Sequence, residues 1–478
     1  MDTTVAIIGS GFSGIGLAIR LKQDGVDDFV VLERNDGVGG TWWANTYPGC
    51  ACDVPSHLYS FSFAPNPDWT RTYSRQPEIR DYLRRVVEEH GVTPHIRLGC
   101  EVQGARWADD HWAIETSQGP VSAKVLVSAA GPLVEPKLPD FPGLERFQGP
   151  AFHSARWDHS ASLKGKRVAA IGTGASAIQF VPKIAPDVEQ LHVFQRTPPW
   201  VMPHSARPIT RTERRLFRLF PPLQRLVRGG IYTAREILVL GFVKRPRAMK
   251  LLERVSRRHM ERSLPPELIA KATPNYRLGC KRILPSNDWY PALARDNVEL
   301  VTDAVAEVRE RSIVTADGTE REVDAIVFGT GFHVVDMPVG QMVTGRDGIT
   351  LADVWNGSPR AHLGATVPGF PNFFIMLGPN TGLGHSSMVY MLESQLAFVI
   401  GALRELRARN ASTVEVRGEV VDNYNAEIQE RLNGTVWNTG CRSWYLDAQG
   451  RNPTLWPDWT WRFRQVTAHF DPAQYELS

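Results

Sequence analysis

The sequence predicts an α/β protein with two Rossmann-like dinucleotide-binding domains and a helical insertion in the second, and three observations carry this reading. A glycine-rich turn follows an apolar run at Gly9, the same unit recurs at Gly172, and a basic, helix-patterned stretch interrupts the second unit from about 208 to 272. The chain has 478 residues, enough for two or three domains at roughly 150 residues each.

In the first unit Val5-Ala6-Ile7-Ile8 reads as a strand, Gly9-Ser10-Gly11-Phe12-Ser13-Gly14 as a tight turn, and Ile15 to about Gln23 as a helix with apolar residues at helical spacing. Phe29 to Leu32 reads as a second strand. It ends on Glu33, 19 residues beyond Gly14, where a dinucleotide fold places the acid that hydrogen-bonds an adenosine ribose. Glycines at this turn let a pyrophosphate approach the backbone N–H groups and the positive dipole end of the helix. A glycine triplet alone is weak evidence; the flanking strand, helix and acid make it a binding signal.

The second unit runs Arg167 to Ile171, then Gly172-Thr173-Gly174-Ala175-Ser176-Ala177, then a helix through about Ile184. Ala177 at the last glycine position is tolerated, because that residue sets helix-to-strand packing rather than touching phosphate. The next strand, Leu191 to Phe194, leads into Gln195-Arg196-Thr197 with no acid at its tip. An arginine there suits a 2′-phosphate, which assigns the second site to NADPH rather than NADH.

From Pro208 to about Ala272 the pattern turns helical and basic, broken by Pro221-Pro222 and Gly229-Gly230, with apolar stripes at Ile237, Leu238, Leu240 and Val243. This reads as an insertion packed on its own domain, although a basic amphipathic helix also suits a membrane surface. Lys124 to Ala129 and Asp324 to Phe328 read as strands returning to a nucleotide domain, and Met388 to about Leu406 as a helix. The simplest assembly is a discontinuous first domain, 1–145 and 325–478, with the second domain, 146–324, inserted between its halves.

Composition sets limits on function. A formal net charge of +3 does not argue for nucleic acid as a partner. No run of about 18 apolar residues suggests a membrane span, and no leader pattern precedes the first strand, so a cytoplasmic location is expected. Five cysteines, Cys50, Cys52, Cys100, Cys280 and Cys441, are widely spread without a pair at redox or zinc spacing. Neither a disulfide scaffold, a thiol redox pair nor a metal site is expected.

Further motifs support a family resemblance. Phe147-Gln148-Gly149-Pro150-Ala151-Phe152-His153-Ser154-Ala155-Arg156-Trp157-Asp158, just before the second glycine turn, resembles the fingerprint of type I Baeyer-Villiger monooxygenases. Gly40-Thr41-Trp42, followed by Tyr47-Pro48-Gly49 and Asp53, resembles a second signature of the same family, and Gly279-Cys280-Lys281-Arg282-Ile283 with Asp288-Trp289-Tyr290 resembles its arginine segment. The resemblance spans nearly the whole chain. It implies FAD in the first domain and NADPH in the second, with one oxygen atom of O2 inserted beside a small-molecule ketone carbonyl, via a peroxyflavin, to give an ester or lactone.

The same resemblance implies the site residues. Arg282 stands beside the flavin, paired with Asp53, and its permanent charge suits a developing oxyanion. His153 couples domain movement to the reaction. Thr41, Trp42, Tyr59 and Val102 join Gly9, Gly11, Ser13, Gly14 and Glu33 in the FAD site, and Lys281 joins Arg196 and Thr197 around the 2′-phosphate. Trp444, in Ser443-Trp444-Tyr445, contacts the nicotinamide ribose. Gly329, where relatives often carry alanine, and Pro199 depart from the pattern without supplying chemistry. Three other readings are a flavin enzyme oxygenating nitrogen or sulfur, a pyridine nucleotide-disulfide reductase, and a flavin-bound redox sensor without turnover. Trp157-Asp158 and Arg282 weigh against the first. The cysteine spacing weighs against the second, and the joint presence of Asp53, His153 and Arg282 against the third. The identity of the ketone and the oligomeric state are left open.

Overall fold

The computed structural model describes residues 2–441 and 443–478. Its first sheet is built on strands β1 (Asp2–Ile8), β2 (Phe29–Leu32), β3 (Ile96–Arg97), β4 (Val102–Ala108), β5 (His111–Thr116) and β6 (Val121–Ser128). β1 runs parallel to both β2 and β6, with Val5 beside Phe29 on one side and Val125 on the other. β4 and β5 extend the sheet antiparallel beyond β6, Val343–Thr344 closes that edge, and Phe373–Ile375 adds a parallel strand to β6. The strands that face helices on both sides are continuous apolar runs, as parallel sheets require.

Helix α1 (Phe12–Gln23) buries Ile15, Leu17, Ala18, Ile19 and Leu21 against Val5, Ile7 and Val31 of the sheet. It begins within the glycine turn, because the Ile15 amide already donates to Gly11 O at 3.0 Å. Gly16 on the same helix lets the long C-terminal helix Met388–Arg409 approach; a Cβ there would lie 3.1 Å from the Leu396 side chain.

The second sheet contains β7 (Ala151–His153), β8 (Arg167–Ile171) and β9 (Gln190–Phe194). Its five parallel strands run in the order Val298–Val301, β9, β8, Ala325–Phe328, β7. Ala325–Phe328 therefore belongs to the second sheet, and the return to the first sheet expected at 325 comes only at Val343–Thr344. The cause is local: Asp324 accepts hydrogen bonds from the Arg167 amide at 2.8 Å and from its guanidinium at 2.9 Å, which sets the strand in register beside β8.

The remaining helices that shape the site are α2 (Thr41–Ala44), α3 (Gln76–Glu89), α4 (Ala177–Ile184), α5 (Arg211–Leu219), α6 (Pro221–Glu236), α7 (Met249–Glu261) and α8 (Pro266–Ala272). Thr210 and Glu213 cap α5 reciprocally. Pro221-Pro222 opens α6 instead of breaking it, as proline can at a first turn. Gly229-Gly230 also fails to break the helix, contrary to expectation. Each glycine costs about 1 kcal/mol relative to alanine, but the helix is held on its inner side by Gln224, Arg228 and Glu236, all hydrogen-bonded to other segments. Among the described residues no helix is long and apolar enough to cross a membrane.

Candidate active site

At the first glycine turn a Cβ on Gly14 would collide with Gly9 O, and one on Gly40 would lie 2.8 Å from Gly11 Cα. The turn and the Gly40-Thr41-Trp42 segment thus meet through bare backbone. Helix α1 starts with no side-chain cap and no acid in its first turn, which leaves N–H groups and a positive dipole end for an anion. This cradle fits the pyrophosphate of a dinucleotide. Ser13 is buried inside the turn.

Glu33 is buried beside it and is held by the turn itself. One carboxylate oxygen accepts from the Ser10 amide at 2.8 Å and its hydroxyl at 2.7 Å, and the other accepts from the Asn35 amide and side chain. A crevice of about 370 Å³ opens beside this tip, lined by Arg34, Asn35, Trp43, Thr46, Ala155 and Arg156. Trp42 is buried, and its indole N–H donates to Tyr59 Oη at 3.1 Å, while Phe12 meets Tyr59 edge-on at 5.1 Å. Thr41 starts α2, and Val102, buried, starts β4.

The second turn repeats the arrangement. A Cβ on Gly172 would meet Gly329 O at 2.6 Å, at a backbone φ of +104°. A Cβ on Gly174 would lie 3.9 Å from Gly329 O, and Ser176 precedes α4 without capping it by its side chain. Ala177 is accommodated because its partner is Gly329: a Cβ on Gly329 would lie only 3.3 Å from that of Ala177. The glycine that departs from the family pattern thus makes room for the alanine in the motif. Thr173 Oγ1 donates to Thr197 O at 3.3 Å. Arg196 is exposed at the tip of β9. Lys281, which lies 4.9 Å from the Tyr276 ring centre, is pulled below the usual ammonium range by burial and by the charge of Arg196. Two cations that repel one another at this tip suit a doubly charged phosphate.

Asp53 and Arg282 meet across 229 residues: Arg282 Nε donates to Asp53 Oδ2 at 3.0 Å, and Nη2 donates to the same oxygen at 2.5 Å. Their side chains are 23% and 35% exposed, so the pair is half-buried with an open side. Burial alone pushes Asp53 up, but the charge and hydrogen bonds of Arg282 outweigh it and hold the carboxyl below its usual range. Asp53 in turn holds the guanidinium above its ordinary value. The arginine is therefore a fixed cation, with Nη1 free of the Asp53 contact.

His153 ends β7, buried, with Nδ1 accepting from the Ala155 amide at 3.1 Å and its ring edge-on to Phe332 at 5.5 Å. Nε2 is buried without a hydrogen-bond partner among the described residues. Burial, helped by Arg156, lowers its pKa to about 4, so the imidazole is neutral near pH 7. Trp157 packs on Phe152 and on Phe180 of α4, which ties this linker to the second unit.

Three residues near the pair carry no sequence signal of their own. Gln179 on α4 bonds the Ala51 backbone, joining the two nucleotide units. Arg235 on α6 acts electrostatically on Asp53. Tyr445 is buried beside Arg282 and Asp53, its phenol pushed up to about 12 by burial, whereas the neighbouring Trp444 is 44% exposed, its ring tilted against that of Tyr445 with centres 4.4 Å apart. A dipeptide such as Trp444-Tyr445 does not reveal which ring turns inward.

Cys280 and Cys441 form a disulfide, Cα atoms 6.3 Å apart, a single cross-link and not the scaffold that the cysteine spacing argued against. The spacing did not point to this pair, because 161 residues of sequence separation say nothing about distance in the fold. The bond ties the arginine segment to the segment leading to Trp444. Cys50, Cys52 and Cys100 are free and buried, and burial pushes the Cys50 thiol up to about 12 and the Cys52 thiol well above the usual thiol range. Neither suits thiol redox chemistry.

Two glycine cradles joined at a half-buried Asp53–Arg282 pair define an oxidoreductase that works with two dinucleotides. Comparisons agree. Residues 6–219 match the family model described as pyridine nucleotide-disulphide oxidoreductase. The chain is 54% identical to a Baeyer-Villiger monooxygenase of Streptomyces coelicolor, over 99% of this chain and 92% of the relative. It is 52% identical to another of Pseudomonas aeruginosa, over 99% and 91%. The crystal structure of cyclohexanone monooxygenase from Rhodococcus sp. Phi1 bound to NADP+ superposes with a TM-score of 0.89 at 29% identity, covering 100% of this chain and 99% of that one. The chain belongs to the Baeyer-Villiger monooxygenase family.

Proposed function

We propose that this enzyme, with FAD in the first cradle and NADPH in the second, inserts one oxygen atom of O2 beside the carbonyl of a small-molecule ketone and yields an ester or lactone. The observation that carries the residue assignment is the Asp53–Arg282 pair, a permanently charged guanidinium oriented by a carboxylate on the open side of the site. The flavin, when bound, supplies hydride acceptance and oxygen activation. The chain's own residues do the rest.

The Gly9–Gly14 turn and Glu33 hold the adenosine end of FAD, while Trp42 and Tyr59 form a rigid aromatic wall. Gly172, Gly174, Arg196 and Lys281 hold NADPH by backbone and charge. Arg282 stabilises the negative charge that develops on oxygen as the ketone carbonyl is attacked, and needs no proton of its own to do so. Asp53 is a positioning residue that fixes the guanidinium plane. Tyr445, neutral and buried, limits water beside the pair. His153, also neutral, sits in the linker, where movement between the two units is felt.

A panel of cyclic, linear and aromatic ketones, with a thioether beside them, tests this reading with purified protein, NADPH and oxygen. Esters or lactones formed in step with NADPH consumption support it. Sulfoxide as the sole oxygenated product would transfer the chain to the nitrogen- and sulfur-oxygenating reaction. NADPH consumption without oxygenated product from any ketone would leave the carbonyl reaction unsupported.

A further inference from the structure

We propose that the outer face of α6 docks this enzyme onto an anionic lipid bilayer. The inner face of the helix is fixed: Gln224 Nε2 donates to Asn66 O at 2.6 Å, Arg228 Nη1 to His57 O at 2.6 Å and Ser60 O at 2.9 Å, and Glu236 accepts from Thr460. With that rotation set, Leu223, Leu226, Gly230, Ala234 and Ile237 share the opposite side at helical spacing, and that side carries no charge. Leu226 is 73% exposed and Ile237 56%, and the α5–α6 corner adds Leu219 at 62% and Phe220 at 60%.

A helix packed on a domain normally turns polar residues to water. Here the outward stripe is apolar, and eight of the fifteen exposed large apolar side chains among the described residues lie between Leu216 and Leu251. The same segment is the most basic of the chain. Residues 207–262 contain 16 Lys or Arg against four Asp or Glu, although the whole chain has 54 against 51. Arg211, Arg215, Arg225, Arg245, Arg247 and Lys250 are exposed and form no ion pair among the described residues.

The combination selects the occupant. A nucleic acid would satisfy the cations but leave Leu219, Phe220, Leu226 and Ile237 in water. A second copy would bring two strongly positive faces together. An anionic bilayer takes both features at once: apolar side chains enter the boundary between headgroups and acyl chains while guanidinium groups meet lipid phosphates. At 16 residues, with Arg225, Arg228 and Arg235 along it, α6 is suited to lie in the interface and not to cross it.

The test is co-flotation of the full-length, FAD-loaded protein with vesicles of phosphatidylcholine containing about 30 mol% phosphatidylglycerol, against vesicles of phosphatidylcholine alone. At least about tenfold more protein should float with the anionic vesicles, and the difference should shrink as salt screens the charges. Leu226→Ser combined with Ile237→Ser should lower the bound fraction about fivefold without changing ketone oxidation or thermal midpoint in solution. Leu226→Cys labelled with an environment-sensitive dye should shift to the blue on anionic vesicles. Absence of flotation, flotation unchanged in the double variant, or a dye that does not shift would each overturn the proposal. So would a dimer broken by Leu226→Glu, or tight binding to duplex DNA without binding to vesicles.

Discussion

The side-chain amide of Gln179 on α4 exchanges hydrogen bonds in both directions with the backbone of Ala51, two residues before Asp53. Nε2 donates to Ala51 O at 3.0 Å, and Oε1 accepts from the Ala51 amide at 3.2 Å and from Tyr47 Oη at 3.0 Å. An element of the second unit therefore fixes the loop of the first unit that carries Asp53. Gln179→Ala leaves both Ala51 groups without these partners and should reduce stability by about 1 to 2 kcal/mol. Turnover should fall several-fold with FAD content unchanged, and Gln179→Glu, which sets a second acceptor against Ala51 O, should be no better. An unchanged turnover number and thermal midpoint would remove Gln179 from this role.

Cofactor choice should rest on the β9 tip. Replacing Arg196 with alanine should raise KM for NADPH roughly tenfold to a hundredfold, the loss of a charged hydrogen bond worth about 1.5 to 3 kcal/mol. NADH kinetics should change little. Equal losses with both nucleotides would place Arg196 away from the 2′-phosphate.

Stability should decline in mild acid. Burial lowers His57, His153 and His362 each to about 4 from an ordinary value of 6.5. Between these values the unfolded chain binds protons that the folded chain does not, so stability rises with pH across this window and is lost as pH falls from about 6.5 toward 4. Each histidine contributes on the order of 1 to 3 kcal/mol at the acid end. Asp53 acts in the same direction but lower, since its contribution is present above the ordinary carboxylate value of 3.8 and is lost below it. Thermal midpoints measured from pH 7.5 to 4.5 should fall steadily, and His362→Gln should flatten part of the slope. A midpoint flat over that range would contradict these assignments.

The Cys280–Cys441 bond closes a loop of 161 residues and should stabilise the fold by about 3 to 5 kcal/mol, chiefly by constraining the unfolded chain. Peptide mapping without reductant should recover the two cysteines linked. Cys280→Ser should lower the thermal midpoint and loosen the Ser443-Trp444-Tyr445 segment, read as faster hydrogen exchange there than in α1. Recovery of both cysteines as free thiols from protein purified without reductant would contradict the pairing.

The parts of this molecule that depend on neighbouring residues were legible in the sequence. Both glycine turns, Glu33 and the strands around them follow from local spacing, and Asp53 and Arg282 stand in recognisable motifs although 229 residues separate them. Properties set by packing were not legible. Gly229-Gly230 reads as a break, yet Gln224 and Arg228 hold the helix through it. The strand Ala325–Phe328 reads equally well in either sheet until Asp324 binds Arg167. Gln179 and Tyr445 are ordinary residues until the fold turns them toward Ala51 and Arg282.

The central claim is that Arg282, oriented by Asp53, stabilises the charge that develops during attack on the ketone, and Arg282→Ala tests it most directly. Two quantities are measured on the FAD-loaded variant: anaerobic reduction of the flavin by NADPH, and the yield of ester or lactone per NADPH consumed in air. Reduction within a few-fold of the parent rate, with oxygenated product lost by at least about a hundredfold and consumed NADPH recovered as hydrogen peroxide, is the expected result. Arg282→Lys should restore little, because a compact ammonium cannot present the planar donor fork to the carboxylate and the reacting oxygen together. Product yield close to that of the parent enzyme in Arg282→Ala would contradict the claim.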